Sequence, residues 1–207
     1  MLPAILPLFP LPQVVLFPQT FLPLQVFEPR YQEMTVEILN GHHHLVMALM
    51  RDGVEPGSLG ETAQVYEVGC LGEVVRAEPL TGGRWNLLIQ GVEAVKILEE
   101  VPGKPYRQAR TEPIGFDASI LWAGPHRRRL LESLHAYAEV EGIEIQLKEL
   151  LDLPLEDSAQ LNTLAMALDF DPAERQFLLE APNLPALADR LLQVLDFARQ
   201  GRKLSDL

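Results

Sequence analysis

The chain has 207 residues, 47% of them hydrophobic and 22% charged, enough for one or two domains with a sizeable core and too apolar for a disordered protein. Seventeen Lys and Arg stand against 29 Asp and Glu, a net charge of −12, which disfavours nucleic acid and anionic membranes as partners. No run approaches the ~20 apolar residues of a transmembrane helix. The apolar start carries Pro3, Pro7, Pro10 and Pro12 and no basic leader, so no signal peptide is expected. One cysteine, Cys70, excludes a disulfide framework and suits a reducing compartment. A soluble, cytoplasmic protein is the expectation.

Up to about residue 115 the pattern is short apolar runs cut by Gly and Pro. Seven of the 17 prolines lie in the first 29 residues, which places the early extended segments at sheet edges or strand starts. Phe21–Phe27 reads as a strand. Glu28-Pro29-Arg30-Tyr31 opens a helix, proline being tolerated in a first turn, and Met34, Ile38 and Leu39 give that helix a buried face before Gly41 stops it. Strands are predicted at Leu45–Met50, Ala63–Cys70, Glu73–Pro79, Arg84–Gln90, Ala94–Val101 and Tyr106–Thr111, with Thr81-Gly82-Gly83 as a hairpin turn. The sum is a small, partly closed β-barrel.

Beyond that point the spacing is helical. His126–Val140 carries Leu130, Leu131, Leu134 and Ala138. Asp157 with Gln160 precedes Leu161, Leu164 and Leu168 in a capping pattern, and Asp171-Pro172-Ala173-Glu174 is a stronger helix start. Leu187, Leu191, Val194 and Leu195 form a fourth stripe, ended by Gly201. The fold class is therefore α+β: a β domain over residues 1–115 and a helical bundle over 116–207.

Chemistry-bearing motifs are sparse. Gly103-Lys104-Pro105 lacks the upstream glycine of a phosphate-binding loop, and Gly57-Ser58-Leu59-Gly60 reads as a loop rather than a nucleophile elbow. Ser58, Ser119, Ser133, Ser158 and Ser205 fit no hydrolase motif. His42-His43-His44 is the one cluster with metal-ligating chemistry, but consecutive residues splay, and the reading preferred here is a polar helix end, where an imidazolium would sit well beside unpaired carbonyls. Cys70, between Val68-Gly69 and Leu71-Gly72, reads as a packing residue. Glu99-Glu100 and Glu139, Glu141 and Glu144 read as solvated faces, as does Arg127-Arg128-Arg129. No catalytic residue, cofactor or metal is expected.

What remains is the proline-stiffened apolar start: Leu8–Pro12, Val14–Pro18 and Phe21–Leu24. Two readings stay open. All of it packs the barrel, or Phe17, Phe21, Phe27, Tyr31 and Met34 leave an apolar groove partly open to a polypeptide.

Leu6-Pro7-Leu8-Phe9-Pro10-Leu11-Pro12, then Val15-Leu16-Phe17-Pro18, then Leu22–Tyr31 with its Phe-Glu-Pro-Arg-Tyr, closely resemble the start of the N-terminal substrate-binding domain of Lon proteases. Val68–Gly72 is similar to that family's Gly-Cys/Thr-x-Gly turn, Trp85–Gly91 to its strand ending in glycine, and Asp171–Glu180 to its Leu-Leu-Glu helix. The resemblance implies a PUA-like pseudo-barrel with a short helix, followed by helices. It implies a non-catalytic module that captures exposed hydrophobic segments of unfolded or partly folded polypeptides. The acidic balance would favour basic or neutral segments. An adaptor docking onto a protease or other folded partner is the alternative, and RNA binding through the barrel a lesser one. Glu28, Arg30 and Tyr31 match the family pattern and could serve to pin the helix. The ATPase and Ser–Lys protease motifs of full-length Lon do not occur, so the chain looks like the stand-alone Lon-domain proteins.

Overall fold

The computed structural model describes residues 3–51, 63–117 and 125–201. The chain divides into two compact units, Met1–Ile114 and Gly115–Leu207. The loop expected at Gly57–Gly60, with Ser58, Ser119 and Ser205, lies outside the described residues.

In the first unit β1 (Ile5–Leu11) is followed by β2 (Phe21–Val26), α1 (Pro29–Leu39), β3 (His44–Leu49), β4 (Val68–Pro79), β5 (Trp85–Glu100) and β6 (Gln108–Pro113). The strands run in the order β2-β5-β4-β3-β1-β6, and β6 also pairs with β5. Five strands thus close a ring, and β2 hangs on the outside of the long β5. Leu6, Leu8, Val46, Ala48, Leu71, Val95 and Ala109 form a buried cluster in its core.

The proline rule places β2 correctly at an edge and misplaces β1, which runs parallel to β3 and antiparallel to β6. The reason lies in where the ladders stop. Leu8 donates to the Arg107 carbonyl and the Leu11 carbonyl accepts from Met50, so even-numbered residues of β1 face β6 and odd-numbered ones face β3. Pro7 faces β3 before that register begins at Leu8. Pro10 faces the β6 side after that register has ended at Pro7. Each proline stands where no ladder bond was due.

Two pairs of predicted strands prove to be single strands. Val68–Pro79 is continuous, and the expected turn at Val68–Gly72 is instead a register shift between Leu71 and Gly72. Trp85–Glu100 runs straight through Gly91, pairing with β2 along its first half and with β6 along its second. The hairpin between β4 and β5 turns on Gly82 and Gly83, both at φ +75°, a region closed to most side chains. Helix α1 starts at Pro29 as expected, but ends at Leu39 with Asn40 as its cap, and His43 rather than Gly41 takes the left-handed conformation (φ 63°).

The second unit holds α2 (Pro125–Glu141), α3 (Glu144–Leu151), α4 (Asp157–Ala167), α5 (Pro172–Leu179) and α6 (Leu184–Arg199). Helix α6 buries seven residues and packs against α2, α4 and α5. Asp171 and Glu174 form the expected reciprocal cap, the Glu174 carboxylate accepting from the Asp171 N–H at 2.9 Å. The cap expected from Asp157 and Gln160 does not form. Glu156 is the N-cap, Asp157 pairs with Arg127 at 3.0 Å, and Gln160 donates to the Leu151 carbonyl. Among the described residues five helices stand where four were expected; α3 buries Leu147 alone, too little to raise a periodic signal.

Candidate functional site

Because β6 leans on the second half of β5 and β2 on the first, the outer edge of β2 has no strand beside it among the described residues. β1 likewise parts from β6 after the Leu8–Arg107 bond. Between these two open edges lies a pocket of about 190 Å³, walled by Phe9–Pro12 at the end of β1 and Leu24–Phe27 at the end of β2, with the first turn of α1 and Met50 completing it. Phe9, Val26, Tyr31 and Met50 are buried in its floor, while Phe27 stands 61% exposed at its rim.

The sequence builds this seam locally. Glu28-Pro29 converts the end of β2 into helix within two residues, and Gln32 donates to the Phe27 carbonyl at 2.8 Å to hold the corner. The corner directs Tyr31 inward, where its ring lies 4.2 Å from that of Phe9, tilted by 58°. Arg30 covers the other side, its guanidinium carbon 4.6 Å from the Tyr31 ring centroid. Its Nε and Nη2 donate to Glu28 Oε2 at 3.0 and 2.8 Å. Burial, the largest cause, pushes the Tyr31 hydroxyl above its ordinary pKa. The one carboxylate of the wall is thus committed to Arg30, Gln25 donates to Asn86 Oδ1 at 3.3 Å, and the remaining lining side chains are mostly apolar. Such a surface can hold a chain and offers no nucleophile or paired acid and base to transform one.

The substrate-binding domain of ATP-dependent protease La (LON) matches residues 5–197 as a family model. The chain belongs to this family. The LON substrate-binding domain here is 26% identical to the Lon protease of Anaeromyxobacter dehalogenans over 99% of this chain and 24% of that protein. It is 28% identical to that of Roseiflexus castenholzii over 98% of this chain and 25% of that protein. The chain therefore spans about a quarter of the length of these relatives. Among solved structures, the Lon N-terminal domain protein from Xanthomonas campestris aligns with TM-score 0.63 and 19% identity, covering 93% of this chain and 98% of that one. The N-terminal domain of the Mycobacterium avium complex Lon protease aligns at 0.63 with 13% identity and the same coverage. These likenesses establish the fold, α+β with a mixed six-stranded sheet.

The LON domain distributes the five aromatic and methionine side chains singled out above very unevenly. Phe27 and Tyr31 line the seam. Phe21 is 52% exposed on β2 but lies outside the pocket wall. Phe17 and Met34 have no exposed surface and belong to the core beneath. For Met34 the cause is helical spacing, which stacks it with Ile38 on the inner face of α1. Phe9, Leu24 and Met50 also line the wall and are not among those five. The signal for the first two was present in the apolar start, but which side of each strand faces the seam depends on pairings the sequence does not declare.

The other candidates are structural in their surroundings. His42 Nδ1 accepts from the His44 N–H at 3.0 Å, and their ring centroids stand 6.2 Å apart in the turn from α1 to β3. Burial, with the His44 charge next, lowers the His42 pKa and so disfavours a charged ring at this helix end. Among the described residues no three His, Cys, Asp or Glu side chains converge as metal ligands would. Arg127 and Arg129 pair with Asp157 and Asp196. No helix among the described residues is long and apolar enough to cross a membrane. Cys70 is wholly buried in β4, and burial raises its thiol pKa far above the ordinary value. A thiol reagent at pH 8 should therefore leave Cys70 unmodified in the native protein and titrate one equivalent in 6 M guanidinium; full native reaction would contradict the packing of β4.

Proposed function

We propose that this domain is a non-catalytic polypeptide-binding module that captures exposed apolar segments in the seam beside β2. The carrying observation is the apolar pocket set against a strand edge that no other described strand pairs. The Thr20 carbonyl accepts from the Gly91 N–H at 2.9 Å, and alternation from there turns Phe21, Pro23 and Gln25 toward the open side. Carbonyls at all three positions, and N–H groups at Phe21 and Gln25, face outward; Pro23 contributes no donor. An extended segment can pair with these groups while inserting an apolar side chain between Phe9 and Phe27. Pro23 in the middle of the edge limits the pairing and so guards against sheet-to-sheet aggregation.

The test is a fluorescence-anisotropy titration with a reduced, carboxymethylated unfolded polypeptide and with the folded form of the same protein. Saturable binding of the unfolded form alone, persisting in 0.5 M NaCl, is expected. Equal binding of both forms, or none, overturns the reading.

A further inference from the structure

Three prolines stand inside the described strands rather than at their ends, Pro7 and Pro10 in β1 and Pro23 in β2. Pro7 faces β3 before that ladder begins. The other two turn their peptide edges to the seam. Pro23 lies on the open side of β2, and Pro10, which lines the pocket, faces the side that β6 leaves after the Leu8–Arg107 bond. A proline keeps its carbonyl and has no N–H to give. The backbone groups met by a guest are therefore unbalanced. Carbonyls stand at Pro10, Phe21, Pro23 and Gln25, but of these four residues only Phe21 and Gln25 carry an N–H. The side-chain donors of the wall are already engaged, Arg30 with Glu28 and the Gln25 amide with Asn86 Oδ1. We propose that the seam recognises its guest chiefly through the guest's own N–H groups, so that the segments it takes are free of proline along the edge that meets β2. The inference rests on the reading of the seam as the polypeptide site, and specifies which groups of the guest that site selects.

An extended guest turns the N–H and the carbonyl of every second residue to the same side. Laid antiparallel on β2, the guest residue opposite Gln25 both donates and accepts. Two positions away, the residue opposite Pro23 donates to the Pro23 carbonyl and finds no donor for its own, which is left to water. At the pocket end of β2 the guest thus uses two N–H groups and one carbonyl. Losing either N–H forfeits a bond and leaves a carbonyl of the domain unmet. A proline at either position removes the donor and sets its ring against the edge. At the position between them the peptide edge points away from β2, and a missing N–H there costs the pairing nothing.

The test is a backbone-ester scan of one extended, proline-free apolar peptide with a single phenylalanine anchor, read by fluorescence anisotropy. Each ester replaces one amide N–H by oxygen, and the carbonyl it weakens points to the opposite edge of the strand. Affinity is expected to fall about fivefold at two positions spaced two residues apart beside the anchor, the net worth of one hydrogen bond each. At the position between them the loss should stay below about twofold. Pro23→Ala returns an N–H to the edge and is expected to tighten the unmodified peptide by about fivefold. That alternation and that tightening support the proposal. A scan without alternation, the unmodified peptide still binding, overturns it and leaves the seam as a pocket for the anchor alone. Unchanged affinity in a folded Pro23→Ala protein takes the paired edge away from β2 and overturns it equally. No binding of the unmodified peptide overturns the seam reading as well. Should Pro23→Ala self-associate or fail to fold, the ester scan on the wild-type protein decides alone.

Discussion

Replacing Gly91 by alanine is expected to destabilise the β unit by about 3 kcal/mol, read as a fall in the urea midpoint of its unfolding transition. A Cβ on Gly91 would stand 2.0 Å from the Phe17 carbonyl oxygen and 2.8 Å from its carbonyl carbon. These are backbone atoms and cannot rotate aside. The Phe17 carbonyl is already occupied, accepting from the Thr20 hydroxyl at 2.7 Å. The Gly91 N–H donates to Thr20 and its carbonyl accepts from Gln19 at 2.8 Å, so a shift that relieved the clash would break the attachment of β2 to β5. Gly41→Ala is the control. Its Cβ would meet nothing nearer than 3.4 Å, and a change within about 0.5 kcal/mol is expected. Equal stability of the two variants would mean that the approach of residues 17–20 to β5 is not the tight contact described.

Gly91 also shows what the sequence conveys and what it withholds. As a glycine after an apolar run it reads as a strand terminator, yet β5 passes through it, and the glycine is there because another backbone crosses at contact distance. Local signals were legible wherever one residue satisfies its neighbours. Pro29 at the start of α1, Gly82 and Gly83 in the hairpin and the Asp171–Glu174 cap are all of this kind. The interior position of β1 was not legible, because the prolines that suggest an edge are tolerated by ladders ending at Pro7 and starting at Leu8, facts of pairing between distant segments. The seam was half legible. The apolar start pointed to the right stretch of chain, but an apolar residue in an apolar run does not disclose whether it faces the core or the opening.

Phe17 and Phe27 make that distinction measurable, since the same truncation at positions ten residues apart should have opposite consequences. Phe17 has no exposed surface, so Phe17→Ala should cost about 3–5 kcal/mol of β-unit stability through the cavity it leaves. Phe27 is 61% exposed and rests on the seam rim, so Phe27→Ala should leave the urea midpoint within about 0.5 kcal/mol of wild type. In exchange it should weaken binding of the unfolded polypeptide by roughly thirtyfold, the ~2 kcal/mol that burying an aromatic side chain contributes. Phe21→Ala separates position from mere exposure. Phe21 is exposed to a similar degree at the start of β2, the strand that Phe27 directly follows, but outside the pocket wall, and its loss should change the affinity by less than about threefold. A folded Phe27→Ala protein that binds as wild type does, or a Phe21→Ala protein that loses as much as Phe27→Ala, would move the polypeptide site away from the seam. The combination of an unstable Phe17→Ala, a stable but binding-deficient Phe27→Ala and a near-neutral Phe21→Ala is what an apolar hollow beside an open strand requires, because only there does a single aromatic ring face a guest chain instead of its own core.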